Sequence, residues 1–187
     1  MKLHSSHILI CLVACFFIAS CNSEKGQDKP AAQKMMCDSL FGKKNKDFRM
    51  VSFGDLRENI PLGDGPTIME NEADRLVEKI SLNNADSTYA EVFYLFTENR
   101  LSEAEINVIT KSDSLLNIIT DSLTRALTHK FGKPVQEGGF TYWSGKSAGG
   151  YSVEIYLSNR TDEFRLPTLQ IILRAELIET PRMAFAY

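Results

Sequence analysis

Hydrophobic positions in the later part of the chain recur with a period of two in several places, and this period predicts β-strands. Apolar residues alternate with polar ones over 104–108, and one set of alternating positions is apolar throughout 168–177. Both patterns indicate strands that bury one face. Residues 89–97 are apolar at both alternating positions, which is typical of a strand in the middle of a covered sheet. The same criteria predict further strands at 48–53, 140–143 and 151–157.

Two other segments have the 3.6-residue period of an amphipathic helix. Thr67 followed by Glu70 fits a capping box and predicts a helix over about 68–82. Thr110 or Ser112 can cap a second helix, which Gly132 and Pro134 end. The apolar stripes are Met69, Ala73, Leu76, Val77 and Ile80 in the first helix and Leu115, Ile119, Leu123, Ala126, Leu127 and Phe131 in the second.

Short connections between consecutive strands require antiparallel pairing, and two amphipathic helices of matching length would cover the apolar sheet face. We therefore predict an α+β fold, with an antiparallel sheet of about five or six strands and two helices packed on one face.

The start of the chain has a different pattern. Residues 8–19 form an unbroken apolar or thiol run, and residues 1–7 contain one lysine and no acid. These are the features of a secretory signal peptide. A helix of this length reaches only about 18 Å, which is short of the roughly 30 Å hydrocarbon core of a bilayer. We expect the segment to be removed and exclude it from the fold.

The end of this run, Ile18-Ala19-Ser20-Cys21, resembles the lipobox of bacterial lipoproteins. The resemblance covers only this segment, and Ile18 and Ser20 depart from the Leu and the Gly or Ala that are usual there. It implies cleavage after Ser20 and a diacylglyceryl thioether on Cys21, usually with a third acyl chain on the new amino group. Asn22, where an Asp commonly marks inner-membrane retention, implies an outer-membrane location. Two or three acyl chains would make attachment to the membrane effectively permanent.

Two alternatives to Cys21 remain open at this point. The tetrapeptide Leu12-Val13-Ala14-Cys15 fits the same box, although a cut there would leave four apolar residues beyond it. A plain cleaved signal peptide, with Cys21 as an unmodified residue, is the other alternative.

The lipobox resemblance and the composition together divide the chain into a signal peptide at 1–20, a lipidated flexible tether at 21–46 and a single α+β domain at 47–187. The tether is rich in Lys, Gln, Asp, Ser, Ala and Asn and has few large apolar residues. A net charge of −3 is too small for a nucleic-acid binder, and 43% hydrophobic residues are too many for a disordered chain. The partners we expect are the membrane, through the anchor, and an envelope protein or glycan.

The usual catalytic and metal-binding patterns are missing from the mature sequence. Removing the signal peptide leaves Cys37 as the one free thiol, if Cys21 is lipidated, and His129 as the one imidazole. Neither a Ser-His arrangement nor a zinc site is recognisable, so we expect no cofactor, no metal and no catalytic residue. The sequence favours a non-enzymatic binding or assembly module. The alternative is a carboxylate-dependent hydrolase acting on glycan or peptidoglycan. Glu103 and Glu105 would project from one strand face, which suits paired-carboxylate chemistry or calcium, and a solvated strand face is the other explanation of these two acids.

Aromatic residues cluster in the last hairpins and predict a binding face. If they are exposed and have a polar rim, they suit a protein or glycan partner, whereas packing under the helices is the alternative. The candidates are Tyr142, Trp143, Tyr151 and Tyr156.

Asp-Ser followed by an apolar residue or Thr occurs repeatedly and resembles the acceptor motif of a protein O-glycosylation system of some envelope bacteria. The resemblance implies Ser39, in the tether, and Ser87, in a predicted loop, as acceptors. Capping and turn chemistry is the alternative explanation of the same residues.

Overall fold

One antiparallel sheet of eight strands dominates the computed structural model, which describes residues 40–41, 45–61, 67–83 and 87–177. The sheet order is β1-β2-β3-β4-β8-β7-β6-β5. The strands are β1 (Thr67–Asn71), β2 (Arg75–Asn83), β3 (Thr88–Thr97), β4 (Arg100–Ile109), β5 (Val135–Glu137), β6 (Phe140–Lys146), β7 (Ser152–Asn159) and β8 (Thr168–Glu176).

This order consists of two meanders, a first meander of β1–β4 and a second meander of β5–β8. Within each meander, every strand pairs with its neighbour in the sequence. The meanders join at the β4–β8 pair, where Ile106 lies opposite Ile171. Ordinary hairpins therefore build each half, and a single pairing between distant segments closes the sheet.

The longest helix among the described residues, α1 (Asp113–Phe131), follows β4 and packs on one face of the sheet. Its N-cap is Ser112, whose side chain accepts a hydrogen bond from the Leu115 N–H at 3.4 Å. It ends at Gly132, where a φ of 89° is strained for any other residue. A second helix, α2 (Thr161–Phe164), is a single turn between β7 and β8. The residues of α1 buried in the core are Leu116, Ile119, Leu123 and Leu127.

The sheet face under α1, here the covered face, carries the hydrophobic core. An N-terminal segment, residues 45–61, covers the first meander on this same face, and the Phe48 ring stacks on Tyr94 with centroids 5.6 Å apart. Trp143, on β6 beneath α1, is fully buried. The other core residues of the sheet include Leu76, Ala90, Val92, Ala104, Ile106, Ile155, Ile171 and Leu173.

Asp47 fastens the N-terminal segment to the rest of the molecule. Its buried carboxylate accepts hydrogen bonds from the N–H of Phe53 at 2.9 Å and of Ala148 at 2.6 Å. Lys130, near the end of α1, donates to the backbone carbonyls of Lys46 and Asp47. Burial lowers the pKa of Lys130, and the charge of Asp47 opposes this shift. One carboxylate and one ammonium group thus connect this segment to α1 and to the β6–β7 turn.

The structure confirms an antiparallel sheet and an α+β fold, but it has eight strands instead of five or six. The predicted helix over 68–82 is wrong, because these residues form β1 and β2. Its stripe fits a helix, yet Leu76, Glu78 and Ile80 also alternate as a strand toward the core. The buried charge of Glu78 hides that alternation in the sequence.

The N-terminal segment accounts for two further differences from the predicted fold. In the described part of the chain α1 is the only long helix, and the N-terminal segment takes the place of the missing one. The strand predicted at 48–53 is also wrong, since these residues make a tight turn with a single bridge between Phe48 and Val51.

The packed structure begins earlier than the predicted domain boundary. Leu40 is completely buried in the core, and its carbonyl accepts a hydrogen bond from the Arg49 N–H. Part of the predicted tether at 21–46 therefore belongs to the domain. The signal peptide, Cys21 and Ser39 lie outside the described residues.

Candidate binding face

The sheet face opposite α1, here the open face, carries a row of side chains that crosses seven strands. Each member lies directly opposite the next in the strand register. At about 4.8 Å between strands, the row is about 29 Å long. We call it the central row, and in spatial order it consists of Val77, Phe93, Glu105, Ile172, Tyr156, Tyr142 and Val135.

The central row is apolar except for Glu105 and the two phenol groups, and it remains partly exposed. Val77 is buried, but the other members are accessible, and Val135 on the edge strand is 54% exposed. Because α1 and the N-terminal segment both pack on the covered face, neither covers this row.

An aromatic cluster of Phe140, Tyr142 and Tyr156 forms the end of the row on the second meander. The two tyrosine rings are 5.2 Å apart, and Phe140 meets Tyr156 edge to face at 6.1 Å. The Tyr156 hydroxyl donates to Glu154 at 2.8 Å, and the Tyr142 hydroxyl approaches the same carboxylate at 3.4 Å. The hydrogen bond to Glu154 is the main reason that the pKa of Tyr156 is raised. The rings are therefore fixed by a shared acceptor.

A charged row runs beside the central row on β4, β8 and β7. Arg174 lies opposite both Glu103 and Glu154 in the register, and its Nε donates to Glu103 at 2.7 Å. This hydrogen bond is the main reason that the pKa of Arg174 is raised. The guanidinium also lies 6.0 Å from the Tyr156 ring centroid. Alternating charges thus border the aromatic cluster.

Glu105 occupies the middle of the central row and accepts two hydrogen bonds. Asn107 and Gln170 each donate a side-chain amide N–H to it at 2.8 Å. Glu103 and Glu105 do share one face of β4, as expected, but each carboxylate is bound to a neighbouring side chain. Their geometry serves to orient polar groups on a surface and does not form a pair of acids facing each other across a cleft.

The four aromatic residues singled out in the sequence fall at three different places. Tyr142 and Tyr156 meet on the open face. Trp143 is 1% exposed on the covered face, and its indole N–H donates to Thr128 of α1 at 3.4 Å. Tyr151 packs beside the core against Gly54 of the N-terminal segment. Strand alternation explains the difference, because adjacent residues such as Tyr142 and Trp143 point to opposite faces.

Phe140, Glu154 and Arg174 belong to the same surface and were not singled out in the sequence. Phe140 and Glu154 could have been predicted from the period-two alternation of strands. Phe140 is two residues from Tyr142 and shares its face, and Glu154 is two residues from Tyr156 and shares its face. Arg174 becomes visible only once β8 is paired with β7, which requires the strand order.

Ser87 and His129 are both exposed at the surface of the described residues. Ser87 is exposed at the turn before β3, with a φ of 52°. Its use as a glycosylation acceptor stays a prediction, as does that of Ser39. His129 is exposed in the last turn of α1.

Metal-ligating clusters and membrane-spanning helices are both missing from the described residues. These residues contain no group of three or more His, Cys, Asp or Glu side chains that could hold a metal ion. No helix among them has the length and apolar character that crossing a membrane requires.

The comparisons with known proteins found no relative of this chain. No family model, no curated protein and no solved structure matches it. The fold itself defines the class as an α+β domain with one covered and one open sheet face.

Proposed function

We propose that this chain is a lipid-anchored protein of the bacterial envelope, whose domain binds another envelope protein or polymer through its open face. The N-terminal pattern of the sequence supports the anchor at Cys21 and the outer-membrane location. The observation that carries the binding role is the central row, a partly exposed apolar and aromatic strip bordered by fixed charges.

Exposed aromatic side chains with a polar rim suit a recognition surface. Tyrosine offers a large contact area and a hydroxyl group, and its side chain has few rotamers to immobilise on binding. It is therefore enriched among the interface residues that contribute most of the binding free energy. In the aromatic cluster, Glu154 already holds both hydroxyls, which reduces the ordering cost of binding. The neighbouring Arg174–Glu103 pair supplies charges that orient a partner.

The binding role can be tested by site-specific photocrosslinking in intact cells. A photoreactive phenylalanine analogue at position 142 should give a discrete crosslinked product, and Tyr156→Ser in the same chain should abolish it. The analogue at Asp121, an exposed position on α1 of the covered face, is the control. A product of the same size from position 121, or one that survives Tyr156→Ser, would contradict the proposal.

The anchor can be tested independently of the binding face. Metabolic labelling with an alkyne fatty acid should mark the wild type and Cys15→Ala but not Cys21→Ala. Density-gradient fractionation should place the wild type in the outer membrane and move Asn22→Asp to the inner membrane. Equal labelling of Cys21→Ala would reject Cys21 as the acceptor.

A further inference from the structure

An open pocket of about 480 Å³ lies on the first meander, apart from the aromatic cluster on the second. It sits where β3 begins and β4 ends, and Leu166, just before β8, closes one side. Its volume falls within the range of small-molecule sites, about 300–1,000 Å³. The lining residues that matter here are Lys79, Tyr89, Ile109, Lys111 and Leu166.

The described lining of this pocket is positive, although the whole chain carries a net charge of −3. It contains two lysines and no acid, and neither ammonium group has a carboxylate partner among the described residues. Glu91 lies opposite Lys79 in the register, but the Lys79 ammonium lies over the Tyr89 ring instead, 3.7 Å from its centroid. A concave site with one sign of charge attracts a ligand of the opposite sign.

The rest of the lining fits the carbon skeleton of such a ligand. Tyr89, Ile109 and Leu166 supply apolar surface. Tyr89 and Ile109 lie opposite each other in the strand register, and the Tyr89 ring already contacts the Lys79 ammonium. Apolar side chains therefore lie directly beside a positive charge.

We propose that this pocket binds an organic anion, with a phosphate or carboxylate group between Lys79 and Lys111 and its carbon skeleton against Tyr89 and Ile109. The pocket opens on the same sheet face as the central row, since Lys79 shares a strand face with Val77 and Tyr89 with Phe93, but it is separate from the aromatic cluster. This inference goes beyond the open-face proposal, because it concerns a small-molecule site and holds whether or not the aromatic cluster binds a partner. The anion has two sources with the same chemistry, a free sugar phosphate or a lipid headgroup.

Titration calorimetry of the mature chain tests the proposal with glucose 6-phosphate, and glucose is the neutral control. We expect glucose 6-phosphate to bind and glucose not to bind. Lys79→Gln and Lys111→Gln should each weaken binding at least tenfold, whereas Lys79→Arg should retain it. Lys133→Gln, an exposed lysine after α1, should bind as the wild type does, and thermal denaturation of every variant verifies that it is folded.

A second arm distinguishes the source of the anion. Cosedimentation of unlipidated protein with phosphatidylglycerol vesicles, compared with phosphatidylcholine vesicles, tests for the headgroup. Binding of either charged probe, if it depends on both lysines, supports the proposal. Absence of binding to both probes, or equal binding by Lys79→Gln, Lys111→Gln and Lys133→Gln, overturns it. Tyr156→Ser should leave anion binding unchanged. Failure of the anion-pocket proposal is therefore distinguishable from failure of the open-face proposal.

Discussion

At the scale of single residues, Asp47 illustrates how one carboxylate stabilises a segment that has almost no regular structure. The N-terminal segment contributes Phe48, Val51 and Phe53 to the core, yet it forms no extended strand with the sheet. Its backbone must therefore find hydrogen-bond partners elsewhere, and Asp47 accepts from both Phe53 and Ala148.

Asp47→Ala should lower the free energy of unfolding by about 3 kcal/mol, because it leaves two backbone N–H groups without their charged acceptor. Asp47→Asn, which retains one side-chain oxygen as an acceptor, should lower the free energy of unfolding by less than Asp47→Ala does. Urea denaturation measures both changes. Asp162→Ala, at an exposed position in α2, is the control and should stay within about 0.5 kcal/mol of the wild type.

Glu154→Gln should bring the pKa of Tyr156 back toward the ordinary value of about 10. In the wild type the phenol donates to a carboxylate, so ionisation loses that hydrogen bond and places two negative charges together. Titration of ¹³Cζ-labelled tyrosine by NMR measures this, with Tyr156→Phe to assign the resonance. If Glu154→Gln shifts the pKa no more than Glu176→Gln does, the hydrogen bond in the aromatic cluster is not formed.

At the scale of elements, close approach between α1 and β6 depends on a glycine. A Cβ at Gly145 would lie 2.7 Å from a ring carbon of Phe131, which is closer than real side chains come. We expect Gly145→Ala to cost about 1–3 kcal/mol through overpacking. Phe131→Leu in the same chain should recover part of this loss, and Ser144→Ala, on the exposed side of β6, should cost little.

A buried ion pair connects β2 to the N-terminal segment. Glu78 is 1% exposed at its side chain and forms an ion pair with Arg49, and it also accepts from the Tyr94 hydroxyl. Arg49→Met should cost about 3–5 kcal/mol, because it leaves the carboxylate buried without its cation. Adding Glu78→Gln, which removes the charge and keeps an acceptor for Tyr94, should recover much of that loss in the same urea assay.

Elements with strong local signals were predictable from the sequence. The helix over 113–131 has a capping residue, an apolar stripe and a terminal glycine, although Leu116 and not Leu115 is the fully buried residue of its first turn. The alternation at β3, β4 and β8 was equally clear. The errors at β1 and β2 have a physical cause, because the charge of Glu78 looks exposed until Arg49 is brought to it from a distant segment.

At the scale of the whole molecule, the candidate site was only half predictable. Alternation along each strand predicts that Tyr142 and Trp143 point to opposite sheet faces, and it places Tyr156 on the face opposite Ile155. The central row, however, exists only when β4 pairs with β8. This pairing joins residues far apart in the sequence and has no local signature. The pocket on the first meander combines Lys79, in the middle of β2, with Lys111, just after β4. It was not predictable because it depends on the register of three paired strands.

The β4–β8 pair should also be the most protected part of the sheet. Both strands have neighbours on either side and contribute core residues, whereas β1 and β5 are edges. In native-state hydrogen exchange, amides of Ile106 and Ile171 should therefore open only with global unfolding, and those of β1 and β5 should exchange through local opening. Faster exchange at Ile106 than at Ile68 would contradict this order.

Asp47 and Ala148 are 101 residues apart, while Glu105 and Gln170 are 65 apart. Hairpins of the first meander require only short loop closures and can form while the second meander is still being synthesised. The N-terminal segment is translated before any of these strands, yet its carboxylate finds its distant donor, the Ala148 N–H, only after the turn that follows β6 has been made. The earliest part of the domain to leave the ribosome is thus among the last to reach its native place.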